Sequence, residues 1–236
     1  MEIERISSGI PGLDELMEGG FVKGSVNLIT GMAGTCKTIF GCQYIWHGIQ
    51  KGERGLYITL EEMVEDIYED ALRFGWDLRS SDKCKVTEIT PGDIKDMISL
   101  IYSEIKKVNP VRFVLDSISV AAMGWKERPE EIFKSRIKVF DLIRTLKKTN
   151  VTSLLISEIP WKKDSISRFG FEEFVVDSII HLQLLPVDVP IRTIQILKMR
   201  RTNHDIEVHR LKITCLLYTS DAADEGLGVD LGGRRI

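Results

Sequence analysis

Apolar positions along most of the chain alternate between short continuous runs and longer segments with helical spacing. Short apolar-rich runs predict strands at 25–31, 55–60, 112–116 and 151–157, and the repeating pattern predicts another near 85–89. The segments between them carry apolar side chains at helical spacing and predict helices, at 37–51, 63–74, 93–108 and 129–149. Strands separated by helices of this length are joined by parallel crossovers, so the pattern predicts a sheet covered on both faces.

The two ends of the chain follow a different pattern. Residues 1–24 predict a short helix that ends at the turn-forming pair Gly19 and Gly20. The β-rich runs 174–185 and 191–201 are joined by the segment PVDVP and predict an antiparallel hairpin. The expected fold class is therefore α/β, with a mostly parallel twisted sheet flanked by helices and a C-terminal antiparallel β extension.

Composition limits the functional classes. Of the 236 residues, 43% are apolar and 28% are charged, which is typical of a globular domain. The 32 Lys and Arg residues against 35 Asp and Glu residues leave a net charge of −3, which gives no global electrostatic reason to bind nucleic acid. The sequence contains no long apolar run and no basic start followed by an apolar stretch, so we expect a cytoplasmic protein without a membrane span. The four cysteines include no C-x-x-C pair, so no zinc site or disulfide framework is indicated.

The last segment of the chain differs in character from the rest. From Cys215 the sequence CLLYTSDAADEGLGVDLGGRRI is rich in Gly and Asp and resembles the translation of a sequencing-library adapter. We expect residues 1–214 to form a single domain that lacks its own C-terminus, and residues 215–236 to be a non-native tail. The alternative is a flexible natural tail.

A phosphate-binding loop is predicted between the first strand and the first long helix. The sequence GMAGTCKT fits the pattern G-x-x-x-x-G-K-[ST] except at one position. The nucleotide-binding candidates are Gly31, Gly34, Thr35, Cys36, Lys37 and Thr38. In such a loop, backbone N–H groups and the lysine bind phosphates, and the final hydroxyl is a ligand of Mg²⁺. Cys36 replaces the glycine before the lysine, where a positive φ would cost a non-glycine residue about 1–2 kcal/mol.

Acidic residues follow two other predicted strands, at the edge where ligands bind in open α/β sheets. Asp116 ends the run VRFVLD and is a candidate to hold Mg²⁺ through its water shell. Glu61 and Glu62 end the run YITLEE, where a carboxylate can polarise the water that attacks a γ-phosphate. An alternative role for these two glutamates is to stabilise the N-terminus of the next helix through its dipole.

Four passages together carry a family resemblance: SSGIPGLDELMEGGFVKGSVNLITGMAGTCKT, GLYITLEE, FVLDS, and EEFVVDSIIHLQ with RTIQILKMRRTNH. They resemble the RecA-like P-loop ATPases, most closely the single-domain KaiC-like proteins of archaea, over residues 3–214. The resemblance implies ATP and Mg²⁺ as cofactors, with Glu61 as the catalytic base and Glu62 beside it. It also places a K-x-R motif on Lys198 and Arg200, which implies that both cations reach a neighbour's γ-phosphate in a hexameric ring or filament.

Three features depart from the family pattern. Cys36 stands where the phosphate loop usually has a glycine, and Arg201 stands where a glycine commonly follows the K-x-R motif. His204 is correctly spaced after that motif but is followed by DIEVHRLKIT. The position of Cys36, beside Lys37 and at a helix N-terminus, also predicts a lowered thiol pKa and a reactive thiol.

The segment 158–170 mixes cations with aromatic residues after a strand that ends at the expected site. In recombinase relatives the corresponding loop contacts DNA, by base stacking and phosphate contacts. The candidate DNA-binding residues are Trp161, Lys162, Lys163 and Arg168. The alternative is a solvated loop whose aromatic side chains cap the core.

The sequence therefore predicts a homo-oligomeric ATPase that hydrolyses ATP slowly and uses the cycle as a conformational signal to a protein partner. One alternative is a recombination-associated DNA-binding ATPase. A second is a scaffold that binds nucleotide with little turnover because of Cys36. A third is autophosphorylation of a neighbouring subunit, for which no Ser or Thr is singled out.

Overall fold

One large sheet, one two-stranded sheet and the connecting helices make up the protein. The computed structural model describes residues 3–90, 94–119, 129–160, 166–168, 170–185, 190–214 and 217–219. The helices in these ranges are α1 (Lys37–Gln50), α2 (Val64–Arg73), α3 (Ile94–Val108), α4 (Pro129–Thr149) and α5 (Glu172–Val175). The strands are β1 (Arg5–Ile6), β2 (Phe21–Val22), β3 (Val26–Gly31), β4 (Gly55–Thr59), β5 (Cys84–Glu88), β6 (Arg112–Asp116), β7 (Thr152–Glu158), β8 (Ser178–Leu185), β9 (Ile191–Met199), β10 (Val208–Ile213) and β11 (Leu217–Thr219).

The large sheet combines a parallel part with an antiparallel extension. Its strand order is β11-β10-β9-β8-β3-β7-β6-β4-β5. Neighbouring strands from β8 to β5 run parallel, and those from β8 to β11 run antiparallel. This topology confirms the predicted fold class and the hairpin of β8 and β9. The parallel strands β3, β4, β6 and β7 all end at one side of the sheet, here called the carboxyl edge, and the opposite side is the amino edge.

Alternation along the strands divides the core into two layers. Val26 and Leu28 of β3 pack with the apolar side chains of α3 and α4 on one face of the sheet. Ile29 packs with those of α1 and α2 on the other face. Both faces are therefore covered by helices, as the continuous apolar strands predict. None of the helices within the described ranges combines the length and the apolar character needed to cross a bilayer.

The N-terminal segment departs from the predicted short helix. Helical structure is limited to a single 3-10 turn at Glu15–Met17, which ends at Glu18 in the left-handed conformation. Gly19 and Gly20 follow with φ values of 103° and 118°, which confirms the predicted turn. The two strands that flank this turn, β1 and β2, pair with each other and were not predicted. Strands of two residues are too short to show a period in the sequence.

Part of the predicted non-native tail forms an edge strand. Leu217–Thr219 pair with β10, and the Leu217 side chain is fully buried. Gln43 of α1 binds the Leu217 backbone twice: Nε2 donates to the carbonyl oxygen at 3.0 Å, and the Leu217 N–H donates to Oε1 at 2.7 Å. Residues 217–219 thus pack as part of the large sheet. The domain boundary at residue 214 stays a prediction.

Candidate active site

The predicted phosphate loop connects β3 to α1 at the carboxyl edge. A Cβ atom on Gly31 would stand 2.3 Å from the carbonyl oxygen of Leu182 in β8, so only glycine fits there. A Cβ atom on Gly34 would meet nothing within 4 Å, which leaves room for a phosphate group beside the backbone. Cys36 has a φ of 73°, so the left-handed conformation considered from the sequence is present. The phosphate loop therefore contains about 1–2 kcal/mol of backbone strain that a glycine would avoid.

Lys37 is the buried cation of the site. Its Nζ donates to the carbonyl oxygen of Met32 at 2.9 Å and lies 3.3 Å from Oε1 of Glu158. Glu158 ends β7 and stands beside Gly31 in the parallel pairing of β7 with β3. Sequence reasoning did not place Glu158 in the site. The sequence pattern could have identified it: Glu158 is an acidic residue at the end of a buried strand, as Asp116 is.

Thr38 and Asp116, the predicted ligands of Mg²⁺, lie in direct contact. The Thr38 hydroxyl donates to Oδ2 of Asp116 at 2.8 Å, and the Tyr57 hydroxyl donates to the same oxygen at 2.7 Å. Burial raises the pKa of the Asp116 carboxyl, while these two hydrogen bonds lower it. Hydroxyl and carboxylate oxygens are the ligands that Mg²⁺ prefers, so the pair fits this ion. Tyr57 is a second site residue that sequence reasoning missed, because its hydroxyl belongs to a fully buried strand residue.

Glu61 lies near Asp116, two residues after the end of β4. The Ser117 hydroxyl donates to its Oε1, and the Glu61 N–H donates to Oγ1 of Thr59 at 3.3 Å. Burial raises the pKa of the Glu61 carboxyl, and the negative charges of Asp116 and Glu158 raise it further, while the hydrogen bond from Ser117 lowers it. A carboxyl group with a raised pKa is better matched to accepting a proton near neutral pH.

Glu62 follows Glu61 and is likewise exposed. Its pKa is raised by burial and by the charge of Asp116. Helix α2 begins only at Val64, and its first-turn acids are Glu65 and Asp66. The dipole alternative therefore applies to those two residues rather than to Glu61 and Glu62.

The Cys36 thiol does not have the predicted lowered pKa. Burial raises its pKa, and the nearby cations Arg192 and Lys37 lower it by less. Desolvation of the thiolate outweighs the attraction of these cations. The position of Cys36 in the sequence therefore predicts the wrong direction for its pKa. Arg192 also reaches the phosphate loop from the start of β9, where its Nε donates to the carbonyl oxygen of Gly34 at 3.2 Å.

Lys198 and Arg200 point away from the phosphate loop of their own chain. Lys198 is paired with Ile179 of β8, about 10 Å nearer the amino edge than the residue that pairs with Gly31. Its Nζ donates to the carbonyl oxygens of Glu173 and Val176, at 2.6 and 2.8 Å. The Arg200 guanidinium donates to the carbonyl oxygen of Phe174 at 2.9 Å. Both cations thus lie on a surface that a neighbouring molecule can contact.

Arg201, the second departure from the family pattern, has a φ of 62°. The left-handed conformation explains why glycine is common at this position. Of the candidate DNA-binding residues, Arg168 is exposed. Trp161, Lys162 and Lys163 lie outside the described residues, so the DNA-binding loop stays a prediction.

The predicted phosphate loop, the Thr38–Asp116 pair and the carboxylates of Glu61 and Glu158 lie together at the carboxyl edge, the arrangement that is expected of a nucleotide site. A family model described as "ATPase: KaiC" matches residues 6–216 of this sequence. The chain belongs to the KaiC family of ATPases. Membership places it in a class of nucleotide-binding ATPase domains, in agreement with the resemblance and fold class inferred from the sequence.

Individual KaiC-family relatives differ in length. The circadian clock oscillator protein KaiC of Prochlorococcus marinus is 33% identical over 219 residues, which are 86% of this chain and 43% of that protein. The chain thus spans less than half of the clock protein. A UPF0273 protein of Pyrococcus furiosus is 31% identical over 90% of this chain and 92% of its own length. The crystal structure of a KaiC-like protein from Pyrococcus horikoshii OT3 has a TM-score of 0.82 and 34% identity, covering 92% of this chain and 99% of that one.

Proposed function

We propose that this chain binds ATP with Mg²⁺ at the carboxyl edge, between copies of itself, and hydrolyses the γ-phosphate slowly as a conformational signal. The observation that carries the proposal is the 2.8 Å contact of Thr38 with Asp116 beneath the phosphate loop. Lys37 binds the β- and γ-phosphates after exchanging its partners Met32 and Glu158 for them. Mg²⁺ held by Thr38 and Asp116 would neutralise phosphate charge.

Within this proposal, Glu61 is the general base. It accepts a proton from the water that attacks the γ-phosphorus, and the Ser117 hydroxyl holds its carboxylate in place. Lys198 and Arg200 of one copy stabilise the charge that develops on the phosphate bound by the next copy. Their position near the amino edge supports this role, because they cannot serve the site of their own chain in this arrangement.

Glu61→Gln is expected to lower ATP turnover by about 10²- to 10⁴-fold, because the amide cannot accept the proton. The measurement is phosphate release at saturating ATP and Mg²⁺, with nucleotide affinity and oligomer size read on the same samples. Affinity and assembly are expected to stay near those of the wild type. Wild-type turnover that Glu61→Gln leaves unchanged would refute the assigned base.

The pH profile tests Glu61 independently. The carboxylate is the active form, so turnover falls as the pH drops through its pKa, and the raised pKa places this acid limb above the ordinary value of 4.5. Ser117→Ala removes the hydrogen bond that lowers this pKa and is expected to move the acid limb to higher pH. Ser157→Ala is the matched control, since its buried hydroxyl has no hydrogen-bond partner in the described part of the chain. Equal profiles for both variants would contradict the prediction.

A nucleotide-binding scaffold with little turnover is the second candidate, favoured by the left-handed Cys36. In that case Cys36→Gly, which relieves strain of about 1–2 kcal/mol, is expected to raise turnover by about tenfold or more. Cys36→Ala keeps the Cβ atom and removes only the thiol, so it separates backbone strain from thiol chemistry. If the wild type already shows turnover that depends on Glu61 and Cys36→Gly leaves the rate unchanged, the scaffold is excluded.

A further inference from the structure

A cavity of about 500 Å³ lies at the amino edge, on the side of the sheet opposite the phosphate loop. We call it the amino-edge cavity. It is formed by the segments that lead into the four central parallel strands, β3, β4, β6 and β7. Its lining residues are Lys23, 51–54, 109–111 and 149–151. Small-molecule sites in proteins commonly have this volume.

The charge of the lining favours an anion. Its cations are Lys23, Lys51 and Arg54. Lys23 is paired with Glu4 at 2.6 Å. The acidic residue of the lining is Glu53, whose carboxylate accepts a hydrogen bond from the buried Arg112 guanidinium at 2.5 Å. Lys51 and Arg54 therefore carry charge that no acid of the lining neutralises.

Three helices end beside the amino-edge cavity, and their dipoles oppose an anion. Each C-terminus is equivalent to about half a negative charge. In α1 this effect is reduced, because the N–H groups of Gly52 and Glu53 donate to its last carbonyl oxygens. A third cation adds to the opposite side: a Cβ atom on Gly52 would lie 3.4 Å from Nζ of Lys83. The full charges of Lys51, Arg54 and Lys83 thus outweigh the helix ends.

Hydrogen bonds hold part of the cavity wall in place. Nζ of Lys51 donates to Oγ of Ser7 at 2.7 Å, and that oxygen lies 2.8 Å from Nε2 of His47. The Arg112 guanidinium donates to the carbonyl oxygen of Ser7 at 2.8 Å and also holds Glu53. The ammonium group of Lys51 is therefore positioned before a ligand arrives, which lowers the entropy cost of binding.

Other polar side chains of the lining are available to a ligand. Arg54, Asn109 and Asn150 are exposed, and their side chains have no hydrogen bond or ion pair within the part of the chain that the structure describes. A guanidinium donates in parallel to two oxygens of one phosphate or carboxylate group. Carboxamides donate and accept, so they suit the remaining polar groups of a small molecule.

The amino-edge cavity is separate from the candidate active site. Strands β4, β6 and β7 contain five to seven residues, so about 17–23 Å separate their two ends. Asp116 and Glu158 lie at the carboxyl ends of two of these strands, and the cavity lies at their amino ends. A molecule in the cavity therefore does not occupy the phosphate loop.

We propose that the amino-edge cavity is a second ligand site, which binds a small polyanion carrying phosphate or carboxylate groups. Arg54 binds one anionic group through its planar donors, and Lys51 supplies a positioned charge beside it. Asn109 and Asn150 bind the other polar groups of the molecule. The inference goes beyond the proposed function, since it uses no residue of the nucleotide site.

Titration calorimetry of the full-length chain with pyrophosphate and with citrate, in buffer without Mg²⁺, tests this site. The wild type is expected to bind at least one of them at one molecule per chain, and the tighter of the two identifies phosphate or carboxylate as the preferred group. Arg54→Ala is expected to weaken binding by about tenfold, and Lys51→Ala with Arg54→Ala by about a hundredfold. Arg210→Ala, an exposed arginine on β10, is the matched control and is expected to leave the affinity unchanged.

Lys37→Ala distinguishes the two sites. It removes the cation of the phosphate loop and is expected to leave binding at the amino edge unchanged. Binding that is lost in Lys37→Ala but kept in Arg54→Ala would place the anion in the phosphate loop and overturn the inference. A wild type that binds neither anion at millimolar concentrations also overturns it, even where ATP turnover depends on Glu61. Binding that depends on Arg54 supports the second site, even where ATP turnover is absent and the proposed hydrolysis fails.

Discussion

Replacing Arg200 with alanine is expected to lower ATP turnover of the assembled protein by about 10³- to 10⁵-fold, the usual effect of losing an arginine supplied by a neighbour. The guanidinium hydrogen-bonds to the α5 backbone, near the amino edge, so it has no path to the phosphates of its own chain without refolding of that region. Phosphate release at protein concentrations that maintain assembly is the measurement. Arg210→Ala, an exposed arginine on β10, is the matched control.

Mixing two inactive variants shows whether Arg200 acts between copies. Arg200→Ala keeps Glu61, and Glu61→Gln keeps Arg200, so some contacts in a mixed assembly join an intact base to an intact arginine. Random mixing in equal amounts is expected to recover about a quarter of the wild-type rate if the two residues come from different copies. No recovery in assemblies that demonstrably contain both variants would place Arg200 in the site of its own chain or outside catalysis.

The largest effect on stability is expected at Arg112, the first residue of β6. Its fully buried guanidinium donates to Glu53 at 2.5 Å and to the carbonyl oxygens of Ser7 and Tyr44 at 2.8 and 3.1 Å. Arg112→Ala removes one donor from each of these acceptors and leaves the Glu53 carboxylate without its buried cation, and removing one partner of a buried pair costs about 3–5 kcal/mol. The free energy of unfolding, from urea denaturation, is the quantity to compare with the wild type.

Two further variants identify the cause of that loss. Arg112→Met with Glu53→Gln removes both charges and keeps much of the volume, so it is expected to be more stable than Arg112→Ala. Arg112→Lys keeps the charge but loses the planar fork and is expected to be intermediate. A loss below about 1 kcal/mol for Arg112→Ala would show that the network behaves like an exposed ion pair.

The parallel sheet and its helices were predictable because most of the parallel strands are short apolar-rich runs and the helices between them carry apolar side chains at helical spacing; β5, CKVTE, is the more polar exception. The same pattern could not reveal β1, β2 or β11, which have two or three residues each. Strand β10 was also missed, because Val208 and Arg210 are exposed while Leu211 alone is deeply buried. An edge strand with one buried apolar side chain has too weak a pattern to stand out.

The residues of the candidate site also fall into two groups, those that the sequence could predict and those that it could not. The positions of Thr38, Asp116 and Glu61 were predictable, because Asp116 ends a strand and the other two come soon after strands that end at the carboxyl edge. Glu158 also ends a strand. The sequence analysis instead grouped it with the cations and aromatic residues that follow, as part of the candidate DNA-binding loop. The thiol pKa of Cys36 depends on burial, which only the packed structure reveals.

Lys37 has acidic neighbours, and this arrangement bears on which form of the nucleotide the proposed site would accept. Glu61, Asp116 and Glu158 place negative charge near one buried lysine. ATP without a metal is a polyanion and is repelled by these carboxylates, whereas ATP that arrives with Mg²⁺ brings the charge that the carboxylates attract. We therefore expect the proposed site to bind metal-loaded nucleotide in preference to free ATP, so that chelation of Mg²⁺ releases the nucleotide even while ATP remains abundant.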